Sequence, residues 1–175
     1  MARNYLLPAD LDEEKRLETG AFYTPETIVD FMVSQLLCRK KFPLKICDYA
    51  CGGGAILAGI VRYLKKNFPE QASLYCRDLW GMDINPGALE LARKALPEIP
   101  PENFICVDTL RGDLPRKYTF DIIIGNPPYR CGGVRNRESF SSSEQQKLKE
   151  LFPNSFEYKM NLFALFIEQA SRMAD

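Results

Sequence analysis

Phe120-Asp121-Ile122-Ile123-Ile124-Gly125-Asn126-Pro127-Pro128-Tyr129 is the stretch that decides the fold. Its apolar run, residues 122–124, is β-branched, too short for a helix and bounded by Gly125, the pattern of a strand covered on both faces of a parallel sheet. Pro127 and Pro128 then remove two ladder donors and fix φ, so the strand must end there. In open α/β sheets, ligands bind just beyond the carboxyl ends of strands. Residues 126–129 are therefore the expected substrate position.

Working outward from that strand, three more strand signals lie upstream, separated by helical patterns. Residues 44–50 read as the first strand, followed by Cys51-Gly52-Gly53-Gly54 and a helix over 55–66 that turns Ile56, Leu57, Ile60, Val61 and Leu64 inward. Strand, glycine turn and helix together suit a backbone cradle, in which free N–H groups attract negative charge. A triple glycine alone serves equally well as a flexible turn. Residues 79–84 form the second strand, with Asp83 near its end and Asn85-Pro86 starting a helix to about residue 96. Asp83 follows Asp48 by 35 residues, about one strand-helix-strand unit, where dinucleotide folds keep a ribose-binding acid. A third strand over 104–107 is closed by Asp108-Thr109-Leu110. Such alternation predicts an α/β fold, a mostly parallel sheet with helices on both faces. Four strands are visible and the series does not close before Asp175, so the sheet is expected to be incomplete at the C-terminal side.

Toward the N-terminus, residues 9–18 suit a short charged helix and Gly20-Ala21-Phe22-Tyr23-Thr24-Pro25 follows. Thr24 is the expected N-cap and Pro25 the first residue of a helix whose apolar face carries Ile28, Val29, Met32, Val33, Leu36 and Leu37. Residues 1–40 are thus an N-terminal helical segment and 41–175 the core. Downstream, residues 130–143 hold Arg130, Arg135, Arg137, two glycines and three serines, which read as a basic loop beside the substrate position or as an ordinary solvated one. Ser141 and Glu144 form a possible capping box for a helix to 151. A last helix over 161–173 places Leu162, Leu165, Phe166, Ala170 and Met173 on a core face.

The 175 residues suffice for one domain, and 46% apolar content excludes general disorder. Lysine plus arginine equals aspartate plus glutamate at 23 each, so any anionic partner must be held by a local patch rather than by net charge. Six cysteines include no Cys-x-x-Cys pair, and there is no histidine. A mixed zinc site and histidine-dependent nucleophiles or bases are thereby excluded, and no metal is expected. The cysteines read as small core residues in a reducing compartment. No apolar run approaches a membrane span and residues 10–16 are too charged for a signal peptide, so a cytoplasmic protein without membrane contact is expected.

Taken in order, Gly20-x-Phe22-Tyr23-Thr24-Pro25, Asp48-Tyr49-Ala50-Cys51-Gly52-Gly53-Gly54, Asp83, Asp108-Thr109-Leu110, Asn126-Pro127-Pro128-Tyr129 and Asn161-Leu162-Phe163-x-x-Phe166 resemble a known family. It is the S-adenosylmethionine-dependent N6-adenine DNA methyltransferases of restriction-modification systems, in the subgroup whose Phe-Tyr-Thr-Pro element precedes the cofactor loop. The resemblance runs from Gly20 to the end and implies a Rossmann-like fold. It implies that Asp48 pairs with the cofactor ammonium, that Ala50, Cys51, Gly52 and Gly54 give backbone contacts, and that Tyr23, Thr24 and Pro25 close over the methionine end. Asp83 would hold the ribose hydroxyls and Asp108 the adenine amine, with Ile84 and Leu110 as walls and Asn126 bordering cofactor and substrate. Asn126 and Pro127 would accept from the amine being methylated, with Pro128 shaping the turn and Tyr129 stacking on an adenine flipped from double-stranded DNA. Arg130, Arg135 and Arg137 would contact phosphates. Tyr49 departs from the family, which has proline there. The family's further strands and target-recognition region have no counterpart here, which implies a missing C-terminal region or a specificity or nuclease subunit as partner. Two other readings share the Asn-Pro-Pro-Tyr chemistry or the loop: methylation of a glutamine amide or RNA base, and a cofactor-binding module without turnover.

Overall fold

The structure, a computed structural model, describes residues 24–111, 119–127, 141–155 and 162–174. Four strands, β1 (Ile46–Asp48), β2 (Leu79–Asp83), β3 (Phe104–Cys106) and β4 (Ile122–Ile124), form one parallel sheet in the spatial order β3-β2-β1-β4. The chain steps outward from β1 to β3 and then returns to the other side of β1. That reversal makes the gap beyond the carboxyl ends of β1 and β4 the switch point at which such sheets bind ligands.

Successive side chains alternate between two buried faces, which is why the strands read as continuous apolar runs. Ile46, Leu79, Phe104, Ile122 and Ile124 pack under α1 (Glu26–Leu37), α2 (Ala55–Asn67), α3 (Ala72–Tyr75) and α4 (Pro86–Ala95). Cys47, Met82, Trp80, Ile105 and Ile123 pack under α5 (Ser142–Leu151) and α6 (Leu162–Met173). Both sides are thus covered. Each fully buried leucine or isoleucine in these layers contributes about 1.5–3 kcal/mol. All five inward positions expected on α2 are buried, and on α6 Leu162, Leu165, Phe166 and Met173 are buried as well.

The strands are shorter than the sequence suggests. Expected at 120–125, β4 begins only at Ile122, because Phe120 instead bridges Ala174 and its N–H donates to the Met173 carbonyl at 3.0 Å. Asp121 turns the chain by accepting from the Lys45 N–H at 2.6 Å, while its own N–H donates to the Lys45 carbonyl at 2.9 Å.

The start of α1 also differs. Thr24 is not the cap: Pro25 occupies that place, and its carbonyl accepts from the Ile28 and Val29 N–H groups at 3.0 Å. Only Val29, Val33 and Leu37 are fully buried on α1, whereas Ile28 is 49% exposed and Phe31 65%. The reason lies on α2. A Cβ at Gly59 would stand 2.3 Å from Val29 Cγ1 and 3.4 Å from Val33 Cγ2, so the missing side chain is what lets the two helices close on that edge. Arg62 clamps the same contact, reaching Asp30 at 2.6 Å and Glu26 at 3.5 Å.

Other local expectations hold. Asn85 caps α4, accepting from Gly87 at 3.0 Å and Ala88 at 3.3 Å, and Ser141 with Glu144 forms a capping box at α5. Cys47, Cys51 and Cys76 are buried and free, while Cys38 and Cys106 are exposed. The expected helix over 9–18 and Cys131 lie outside the described residues. Among the described residues, no helix is long and apolar enough to cross a membrane.

Candidate active site

In the β1–β4 ladder Asp48 stands opposite Ile124, so Asn126 follows two residues beyond the register partner of a buried acid. Asp48 is 1% exposed and Pro127 is buried, whereas Asn126 and Thr24 are half-buried. Between them Gly125 has no room for a side chain: a Cβ there would lie 2.7 and 2.9 Å from the Tyr49 ring and 3.2 Å from Asp48 Oδ1. Tyr49 in turn is buried and meets the Phe166 ring edge-on at 5.4 Å. The tyrosine that stands in place of a loop proline therefore ties the end of β1 to α6 and presses the backbone of residue 125 against β1.

Thr24 reaches this centre from the N-terminal side. Asn126 Nδ2 donates to Thr24 Oγ1 at 3.0 Å. Seated on α2 through Val29 and Gly59, α1 holds its leading residues over the strand ends.

The glycine turn is organised around two carboxylates. Ala50 N–H donates to Asp48 Oδ1 at 3.2 Å, Cys51 N–H to the Met82 carbonyl at 2.9 Å, Gly52 N–H to Asp83 Oδ2 at 2.8 Å and Gly54 N–H to the Cys51 carbonyl at 2.8 Å. These four N–H groups are engaged within the protein. The glycines also divide by role. Gly54, at φ +84°, packs on α4, where a Cβ would lie 2.9 Å from Leu96 and 3.2 Å from Ala92. Around Gly52 and Gly53 a Cβ would meet nothing within 4 Å, so open space borders that part of the turn.

Electrostatics give the site its sign. Burial pushes the Asp48 carboxyl up from 3.8 to about 7; the Ala50 N–H opposes this and the negative charge of Asp83 adds to it. No lysine or arginine among the described residues forms a salt bridge with Asp48. Burial, with Asp48 next, likewise raises the Cys47 and Cys51 thiols well above their ordinary range, so both remain protonated and inert. A buried carboxyl at this place suits an ammonium or sulfonium group.

Asp83, at the end of β2, joins two loops: its other oxygen accepts from the Asn85 N–H at 2.8 Å. Beside it Ile84 is 64% exposed, a bare apolar side chain at the carboxyl edge of the sheet. Asp108 accepts from the Leu110 N–H at 3.0 Å and the Arg111 N–H at 3.2 Å, closing the turn after β3 and burying Leu110. The structure thus joins Thr24 to Asn126 and Asp48 to Asp83 through the glycine turn, with Ile84, Asp108 and Leu110 farther along the same sheet edge. Pro25 contributes through the α1 cap. Tyr23, Pro128, Tyr129, Arg130, Arg135 and Arg137 lie outside the described residues. Sequence reasoning missed Gly125, Gly59 and the Thr24–Asn126 contact; Gly125 alone left a signal, as the residue between a strand and an Asn-Pro pair.

Comparison with known proteins bears on the family and the fold. The chain is 30% identical over 120 residues to the type II methyltransferase M.CvrRI of Paramecium bursaria Chlorella virus XZ-6E, covering 68% of this chain and 27% of that enzyme. It is 32% identical over 109 residues to the release factor glutamine methyltransferase of Fusobacterium nucleatum, covering 60% and 28%. Its fold matches the type I restriction-modification system methyltransferase subunit from Streptococcus thermophilus with a TM-score of 0.62 at 23% identity, over 88% of this chain and 32% of that one. The chain therefore spans between 23% and 43% of the length of the curated relatives it matches. Residues 4–171 match the N-6 DNA methylase family, and the chain belongs to that family.

Proposed function

We propose that the protein containing this chain transfers a methyl group from S-adenosylmethionine to the N6 amine of adenine in DNA, within a restriction-modification or related defence system. The observation that carries the reading is the placement of Asn126-Pro127 at the switch point, one strand from the buried carboxyl of Asp48. The residues fit the cofactor. Asp48 offers a carboxylate to its ammonium, Asp83 two acceptor oxygens to a ribose diol, Ile84 and Leu110 apolar walls, and Asp108 an acceptor for an amine. Gly52 leaves open space on the backbone, Gly54 fixes the turn, and Ala50 and Cys51 lie within it. In this reading residues 1–40 are a helical segment that carries the cofactor-closing element, and 41–175 form the core.

S-adenosylmethionine supplies an electrophilic methyl whose sulfur leaves as a neutral thioether, so no general acid is called for. Adenine N6 is conjugated with its ring and a poor nucleophile. Asn126 Oδ1 and the Pro127 carbonyl would accept its two hydrogens, draw the nitrogen out of conjugation and free its lone pair. The proton released after transfer passes to water. A chain without histidine can therefore support the reaction. Tyr129 would stack on the flipped base, a contact worth about 1–3 kcal/mol, and Arg130, Arg135 and Arg137 would hold phosphates.

Labelled S-adenosylmethionine and DNA incubated with the longest protein containing this chain test the reading. Label in N6-methyladenine is expected; label in cytosine or in protein refutes it. A second reading, methylation of a protein glutamine amide, is favoured by the likeness to release factor glutamine methyltransferase. Label confined to a release factor would establish that alternative.

A further inference from the structure

The Asn126 side chain carries donors on one side and the catalytically useful oxygen on the other, and a free amide can rotate by half a turn with little penalty. Asn126 is half-buried and its Nδ2 donates to Thr24 Oγ1 at 3.0 Å, across 102 residues of sequence. A hydroxyl accepts from an amide N–H as readily as it donates. This contact fixes which end of the amide points away from Thr24. Thr24 cannot follow the local backbone freely, because Pro25 caps α1 and α1 is locked to α2 by Val29 against Gly59 and by Arg62 against Asp30 and Glu26.

We propose that Thr24 is a positioning residue for catalysis: by accepting from Asn126 Nδ2 it holds the Asn126 amide with Oδ1 toward the substrate amine. The proposal rests on the adenine reading for the identity of that amine, but the orientation itself does not. A flipped amide would present N–H groups to an amine that itself needs acceptors, so the wrong rotamer repels the substrate hydrogens instead of binding them. Because the hydroxyl retains its own hydrogen, Thr24 can accept from Asn126 and still donate to another acceptor on the cofactor side. An N-terminal segment usually regarded as a cover is here part of the alignment of the acceptor site.

Thr24→Val removes the acceptor at nearly constant volume, and Thr24→Ser keeps it. The side-chain amide signal of 15N-labelled Asn126 is assigned by its disappearance in Asn126→Asp. In the wild type and in Thr24→Ser one amide hydrogen should exchange at least fivefold more slowly than those of exposed asparagines; in Thr24→Val that protection should vanish. Methyl transfer at saturating S-adenosylmethionine should fall tenfold or more in Thr24→Val and stay within threefold in Thr24→Ser. An unchanged Asn126 signal in Thr24→Val, or a Thr24→Ser variant as impaired as Thr24→Val, overturns the proposal. If the wild type transfers no methyl to adenine, the functional reading fails, and the exchange measurement, made without substrate, still decides the orientation.

Discussion

Replacing Asp48 by asparagine should make the ligand-free protein more stable at neutral pH while weakening its binding of a cationic ligand. The folded carboxyl sits at about 7 against 3.8 for the ordinary group. At 1.36 kcal/mol per pKa unit, this difference of about three units corresponds to about 4 kcal/mol. The sign follows from linkage. The folded state holds the proton more tightly than the unfolded one, so this contribution is fully present below about pH 3.8, falls as pH rises and is lost once pH passes about 7. Asparagine keeps an oxygen for the Ala50 N–H and never ionises. The variant should therefore exceed the wild type by about 4 kcal/mol at pH 8 and by about 2 kcal/mol at pH 5. In a chain of this length each kcal/mol moves the midpoint by about 2–4 °C. Thermal unfolding of both proteins at pH 5, 6, 7 and 8, followed by circular dichroism, checks this directly. Titrating groups that do not feel the Asp48 charge cancel in the difference; Asp83, Cys47 and Cys51 are coupled to it. Equal pH slopes in the two proteins, or a variant less stable at pH 8, would refute the argument that burial holds the Asp48 carboxyl up. Added S-adenosylmethionine should raise the wild-type midpoint and leave that of the variant nearly unmoved.

Asn126→Ala should abolish methyl transfer with cofactor affinity changed less than threefold, measured by calorimetry beside a transfer assay. Asp83→Ala should weaken cofactor binding first, and should also lower stability by about 1–3 kcal/mol in urea unfolding, because the Gly52 and Asn85 N–H groups lose their acceptor. Gly59→Ala gains about 1 kcal/mol of helix propensity but forces a Cβ to 2.3 Å from Val29 Cγ1. Overpacking of about 1–3 kcal/mol should leave it less stable by urea denaturation. Arg135→Ala with Arg137→Ala should flatten the dependence of DNA affinity on salt by about one unit of log-log slope for each phosphate no longer held; an unchanged slope would make both ordinary surface charges.

Much of the fold was legible because burial on two faces leaves its mark as apolar runs, and because capping chemistry is local. Asn85 and Ser141 could be placed from neighbours within three residues. Strand lengths could not, since what shortens β4 is Phe120 pairing with Ala174, 54 residues away. The buried edge of α1 was equally hidden: Ile28 and Phe31 are as apolar as Val29, and the choice among them is made by an absent side chain at Gly59 on another helix. In the site, Asp48, Asp83 and Asn126 stood out as polar residues at strand ends, whereas the contact of Thr24 with Asn126 did not. A threonine before a proline reads as a cap by every local rule, and only the three-dimensional return of β4 beside β1 brings it to Asn126.

The Tyr49 ring over Gly125 has an evolutionary reading as well. With tyrosine at 49, even a methyl at 125 would come within 3 Å of the ring, so a single substitution there forces the ring or the backbone to shift. The opposite order is open: shrinking residue 49 first empties the space, at the expense of its packing on Phe166. The two positions are thus coupled, and relatives that carry a bulkier residue before the asparagine should be those without an aromatic ring at the position of Tyr49.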